Sequence, residues 1–201
     1  MTVELKHCTP LDVADDAIGK CWDKPSCDGV NKKRMVRVAN KFKHASTIEH
    51  ITYNFDIDGI SRACLQELAR HRISSFSVKS SRYTLKELKE VELNNGNYEN
   101  FIVHTGNYIV DSNSQSALIE LQDAIRSGVS NDIAKYCMPE AYKTSLVWTI
   151  NARSLQNFLK LRTDKSALRE IRELAYEVFS QLPDDHKFLF EEFLYVDTST
   201  E

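Results

Sequence analysis

The residue types best suited to chemistry lie in one run, Arg70-His71-Arg72-Ile73-Ser74-Ser75-Phe76-Ser77-Val78-Lys79-Ser80-Ser81-Arg82-Tyr83-Thr84. Guanidinium groups hold phosphate through planar, bidentate hydrogen bonds, and serine hydroxyls add short neutral donors. The run is basic in a chain of formal net charge -3. Its chemistry is that of a site for a small phosphorylated ligand. The same charges also suit the carbonyl end of a helix followed by a solvated turn. A second set lies at Asn151-Ala152-Arg153-Ser154-Leu155-Gln156-Asn157-Phe158-Leu159-Lys160-Leu161-Arg162. Positions 151, 155, 158 and 162 fall on one helical face. Arg162 therefore lies in line with apolar Leu155 and Phe158, where an arginine needs an anion, a polar ligand or a route to solvent. Arg153 and Asn157 form a second i, i+4 polar pair.

Certain chemistries are disfavoured. His44 and His50, six apart and without a cysteine pair, match no short metal motif, so no metal is expected. The five cysteines, Cys8, Cys21, Cys27, Cys64 and Cys137, are odd in number and contain no C-x-x-C pair. They read as reduced thiols of a cytoplasmic protein. Ser80 has no adjacent base with an orienting partner evident in the sequence, so nothing marks it as an activated nucleophile. There is no G-x-G-x-x-G or Walker loop.

The elements that must position these groups follow from periodicity. Gly29 to His44 is predicted as a helix with Met35, Val36, Val38, Ala39 and Phe42 on its apolar face. Ile51, Tyr53, Phe55 and Ile57 alternate along a half-buried strand that Asp58-Gly59 should end. A helix over Ser61 to His71 delivers the basic run. A short strand is expected at Phe101-Ile102-Val103, helices at 114–127 and 131–137, and a strand at 145–150. A helix N-capped by Asn151 follows, then amphipathic helices at 167–181 and 187–193. The fold class is α+β: a central, mostly antiparallel sheet flanked by helices.

The 201 residues fit one domain spanning 1–201. Hydrophobic content of 42% and charged content of 27% are ordinary for a globular protein. A pI near 6.1 argues against general nucleic-acid binding. No apolar run is long enough to span a bilayer, and the first residues lack the apolar stretch of a signal peptide, so neither membrane nor export is expected.

The two sets together resemble the flavin-dependent thymidylate synthases. That family's signature is Arg-His-Arg, seven residues, then Ser; here it reads Arg70-His71-Arg72, seven residues, then Ser80, continued by Ser81-Arg82-Tyr83. His44-Ala45-Ser46-Thr47-Ile48-Glu49-His50 is similar to the family's His-x-Thr/Ser-x-x-Glu-His segment, and 151–162 to its late helix. The resemblance implies FAD contacts from Ser46, Arg70, His71, Arg72, Val78, Asn151, Ala152, Arg153 and Asn157. It implies dUMP contacts from Glu67, Arg70, Val78, Lys79, Ser80, Ser81, Arg82, Lys135 and Arg162. Arg162 would be the catalytic residue, pairing with the uracil and favouring ionisation at N3. It further implies 5,10-methylenetetrahydrofolate and NADPH as co-substrates, and a cytoplasmic homotetramer with sites shared between subunits. Ser77, Val78, Glu67 and Lys135 depart from the commonest family residues, and Val78 offers only its backbone. Two rival readings are a non-enzymatic RNA- or nucleotide-binding module and a relative that binds FAD without turnover. The late helix set argues against the first.

Overall fold

The computed structural model describes residues 1–24, 29–94 and 96–196. In chain order the elements are β1 (Thr2–Cys8), α1 (Leu11–Cys21), α2 (Lys32–Val36), β2 (Thr52–Ser61), α3 (Arg62–Leu68), β3 (Ser74–Val78) and α4 (Ser81–Thr84). They continue with α5 (Tyr108–Arg126), α6 (Asn131–Ala134), β4 (Lys143–Asn151), α7 (Ala152–Arg162) and α8 (Arg169–Ser180). The strands form one sheet in the order β1-β2-β4-β3. Their pairing is antiparallel: Thr9 N donates to Thr52 O near one end of β1–β2, and Lys79 N donates to Ser145 O at the far end of β3–β4. The α+β class is as expected. Backbone contacts divide the chain into two compact units, Met1–Ile57 with Leu68–Phe76 and Val147–Glu201, and Asp58–Glu67 with Ser77–Leu146.

In the first unit, alternation along β2 turns Tyr53, Phe55 and Ile57 inward, each fully buried. Trp148 and Ile150 on β4 bury the matching face, as do Leu155, Phe158 and Leu159 from α7. The aromatic rings meet in series, tilted or edge-on: the centroids of Phe55 and Trp148 lie 5.9 Å apart, Trp148 and Phe158 5.0 Å, Phe158 and His71 5.1 Å. From α8 come Ile171, Leu174, Ala175 and Val178, at the three- and four-residue steps of one buried face.

The predicted helix at 29–44 is real but not uniform. Asn31 accepts from Arg34 N as its cap, α2 runs to Val36, and one π turn follows over Arg37–Lys41. That wider turn shifts the register, so Phe42, expected inside, is 60% exposed. Strand β2 does not stop at Asp58-Gly59: Gly59 takes φ +76° and the strand runs on to Ser61. Glycine reaches that conformation without steric penalty, so here it marks an irregularity rather than an end. Strand β1 is not among the expected elements. The helix expected at 187–193 is two short 3₁₀ turns, Lys187–Leu189 and Glu191–Phe193.

Those turns are held by a buried polar pair. Tyr53 Oη lies 2.8 Å from His186 Nδ1, and both side chains are inside. Burial raises the Tyr53 phenol, which keeps its proton, and lowers the His186 imidazolium below its ordinary value of 6.5. The unfolded chain therefore binds a proton near pH 6.5 that the folded chain refuses. This contribution to stability is complete above that pH and is lost as pH falls from 6.5 towards the folded value. Thermal unfolding between pH 7.5 and 5.5 is expected to show a falling melting temperature, with a shallower fall for His186→Gln. Equal slopes would show that His186 does not set the dependence.

In the second unit, Leu118, Leu121 and Ile125 of α5 bury against Leu85, Leu88, Tyr98 and Ile102. Helix α5 starts six residues before the sequence reading placed it, because Asn107 accepts from Ile109 N and Val110 N as a cap. Gln122 Nε2 donates to the carbonyls of Leu88 and Val91, which satisfies the end of the 3₁₀ segment Leu85–Lys89. The strand expected at 101–103 is reduced to one bridge, Ile102 to Tyr142. Cys137 is exposed.

Candidate functional site

Helix α7 positions the first group of candidate residues. Asn151 Oδ1 accepts from Ser154 N, fixing the helix start, and Ala152 N donates to Ile51 O, tying that start to the end of segment 44–51. Arg153 is exposed and pairs with Glu49 at 2.6 Å. Ser46 and Asn157 are exposed and Ala152 is buried. Ser46, Asn151, Ala152 and Arg153 are thus brought together at the positive end of the α7 dipole, which favours an anion. Asn151 spends its carbonyl on the cap, leaving its amide N–H groups for a ligand.

The other end of α7 carries Arg162. It is half-buried, and its Nε donates to His71 Nε2 at 3.0 Å. An arginine Nε can only donate, so His71 Nε2 is an acceptor and the neutral ring keeps its proton on Nδ1. His71 is 8% exposed and set edge-on against Phe158. This explains how an arginine extends the apolar stripe: it meets the buried imidazole. Arg70 and Arg72, which flank His71, are exposed. Eleven helical residues separate the two ends of α7 by roughly 16 Å. That distance is too long for one small anion and is within the span of an extended dinucleotide.

The second unit holds Glu67, Val78, Lys79, Ser80, Ser81, Arg82 and Lys135. Lys79 pairs with Glu87 at 3.1 Å. Arg82 binds Asp132 through both Nε, at 2.6 Å, and Nη2, at 3.3 Å. Ser80 takes the N-cap position of α4 without a side-chain cap bond, so its hydroxyl is not committed to the helix. Val78 is 39% exposed. Glu67 and Lys135 are half-buried. Sequence reasoning missed the carboxylates that organise these cations: Glu49, Glu87 and Asp132. Glu49 stood in a quoted segment and could have been found there; Asp132 lies fifty residues from Arg82, and nothing in the spacing links them.

The α+β fold thus carries two sets of cations braced by carboxylates, Arg153 by Glu49 in the first unit and Arg82 and Lys79 by Asp132 and Glu87 in the second. A family model described as thymidylate synthase complementing protein matches residues 6–186. A flavin-dependent thymidylate synthase of Campylobacter jejuni is 54% identical, with 98% of this chain and 99% of that protein aligned. One of Wolinella succinogenes is also 54% identical, over 94% and 97%. The crystal structure of thymidylate synthase X from Helicobacter pylori with FAD and dUMP superposes with a TM-score of 0.92 at 50% identity, covering 98% and 100% of the two chains. The chain belongs to the flavin-dependent thymidylate synthase family.

Proposed function

We propose that this protein converts dUMP to dTMP, with 5,10-methylenetetrahydrofolate as carbon donor and FAD, reduced by NADPH, as the source of hydride. The observation that carries the reading is the Arg162–His71 pair, framed by Arg70 and Arg72 on one side and α7 on the other. The residues present suit FAD: exposed guanidiniums for a diphosphate, a capped helix start, and separate ends for a long ligand. Ser46, Arg70, His71, Arg72, Asn151, Ala152, Arg153 and Asn157 would hold it, with the backbone of Val78. The bound flavin supplies the redox chemistry. Arg70, Glu67, Val78, Lys79, Ser80, Ser81, Arg82, Lys135 and Arg162 would bind dUMP. Arg162 would stand opposite the charge that develops on the uracil.

Residues 1–201 act in this reading as one catalytic domain; the family match spans both compact units. A homotetramer with shared sites is supported by aromatic side chains left outside, with Tyr108 85% and Tyr136 87% exposed. Among the described residues no helix is long and apolar enough to cross a membrane, and a cytoplasmic setting accords with the free thiols of Cys8, Cys21, Cys64 and Cys137. Cys27 lies outside the described residues.

Anaerobic incubation with FAD, NADPH, dUMP and methylenetetrahydrofolate should yield dTMP. A protein that takes up flavin yet forms none would be the relative without turnover, and one that takes up no flavin would be neither. Arg82→Ala is expected to weaken dUMP binding by about ten- to a hundredfold, the worth of a charged hydrogen-bonding group. Asp132→Asn tests the brace: it should weaken dUMP binding less than the loss of Arg82 itself, because the cation remains. Unchanged dUMP affinity in Arg82→Ala would remove that residue from the site.

A further inference from the structure

One basic feature lies outside every residue assigned above. From Gly29 to Ile48 the chain has no Asp or Glu, although it has 29 elsewhere, and it carries Lys32, Lys33, Arg34, Arg37, Lys41 and Lys43. Two of these have company: Arg34 pairs with buried Asp15 at 2.7 Å, and Lys32 lies 5.2 Å from the centre of the Phe188 ring. Among the described residues, Lys33, Arg37 and Lys41 make no ion pair, and all three are exposed. They recur every four residues along α2 and the π turn that follows, in steps of roughly 6 Å. They line a groove of about 830 Å³ with apolar walls at Val36, Phe42 and Phe188. Phe42 also walls a second cavity of about 220 Å³, which holds Trp22, His44 and Ser46. The groove and this cavity therefore adjoin across one exposed aromatic ring, and a residue of the proposed FAD site lines the second.

We propose that this groove binds the γ-glutamyl tail of the folate co-substrate, with the row Lys33, Arg37 and Lys41 meeting successive tail carboxylates. The inference rests on the function proposed above. A row of single cations, one per turn, complements a chain that presents one carboxylate per unit. The phosphates of NADPH come as a close pair and a separate dianion, for which clustered cations are the better match. The apolar walls receive the methylenes between carboxylates, and Trp22 and Phe42 offer ring faces to the aromatic body of the folate.

The test compares mono- and pentaglutamyl folates. For the wild-type protein, KM for the pentaglutamyl methylenetetrahydrofolate should be lower than for the monoglutamyl form. Arg37→Ala, and separately Lys33→Ala with Lys41→Ala, should shrink that difference by about three- to tenfold, the worth of a few exposed charge pairs. KM for dUMP and NADPH, and kcat with the monoglutamyl form, should not move. Equal KM values for the two folates in the wild type, or an undiminished difference in the variants, would overturn the proposal. A rise in KM for NADPH instead would assign the groove to phosphates and also overturn it. Equilibrium binding of pentaglutamyl and monoglutamyl folic acid to the FAD-loaded protein reads the same preference without turnover. A protein that forms no dTMP but prefers the pentaglutamate would refute the activity and leave the groove assignment standing.

Discussion

Arg162→Ala is expected to lower dTMP formation by a factor of about a hundred to a thousand while flavin uptake is largely kept. The magnitude is that of losing one fixed donor aimed at developing charge. The geometry supplies the reason for the split. Arg162 is the last residue of α7, and its Nε engages His71 Nε2 at 3.0 Å. That bond fixes the plane of the guanidinium, and a planar fork held in place is the geometry that recognises a pyrimidine edge. Of the proposed FAD contacts, Ser46, Asn151 and Arg153 lie at the opposite end of the helix with the Asn151 cap intact, and His71, at the near end, keeps its packing against Phe158. Arg162→Lys keeps the charge and loses the fork, so it should recover only part of the rate. Flavin absorbance after gel filtration and kcat at saturating dUMP read the two effects separately. An alanine variant that turns over at the wild-type rate would remove the catalytic assignment. One that loses flavin as well would make Arg162 a positioning residue for His71.

The same pair shows what the sequence could and could not reveal. Spacing placed Arg162 on the stripe of Leu155 and Phe158, and that placement is observed, because a 3.6-residue period is a local property. The partner that justifies it, His71, lies ninety-one residues away. No local pattern marks His71 as buried; in the sequence it stands between two arginines in a run that reads as solvated. The strand β2 and helices α7 and α8 were legible because burial follows their period along one face. Elements whose shape depends on distant satisfaction of backbone groups were not. The end of the 3₁₀ segment at Leu85 to Lys89 needs Gln122 to donate to the carbonyls of Leu88 and Val91, and the early start of α5 needs Asn107 to accept two amide protons. Gly59 looked like a terminator because glycine commonly is one, and here the sheet absorbs its positive φ.

Phe42 illustrates a subtler failure. The α-helical period predicted it inside, and a single π turn between Arg37 and Lys41 moved it out. No residue type in Arg37-Val38-Ala39-Asn40-Lys41 announces such a turn. Its consequence is local: the ring stands between the basic groove and the cavity that contains Ser46. A misjudged helix register is therefore also the place where the further binding surface was hidden.

Trp148→Ala should be the most damaging single change to stability, costing about 3–5 kcal/mol. Trp148 is fully buried and touches three rings: Phe55 at 5.9 Å, Phe158 at 5.0 Å and Phe76, nearly parallel, at 6.3 Å. Nothing small can fill that volume from β4, because its neighbours in the layer are themselves anchored on β2, β3 and α7. For a chain of this length the loss corresponds to a fall of roughly 6–20 °C in melting temperature. The indole also carries an opposing term. Its Nε1 is buried without a hydrogen-bond partner among the described residues, a cost of about 1–3 kcal/mol in the native protein. Trp148→Phe removes that orphan while keeping a ring, so it should cost far less than alanine even though volume is lost. The two variants separate packing from polarity: if the indole N–H mattered more than its contacts, phenylalanine would match or exceed the wild type. The damage should also reach the site. Phe158, which loses its main neighbour, is the wall on which His71 stands edge-on, and His71 in turn receives the Arg162 hydrogen bond. Folded Trp148→Ala, assayed below its melting temperature, should therefore show weakened flavin retention alongside its lower stability. A melting temperature within about 3 °C of the wild type would show that the aromatic series does not carry the fold.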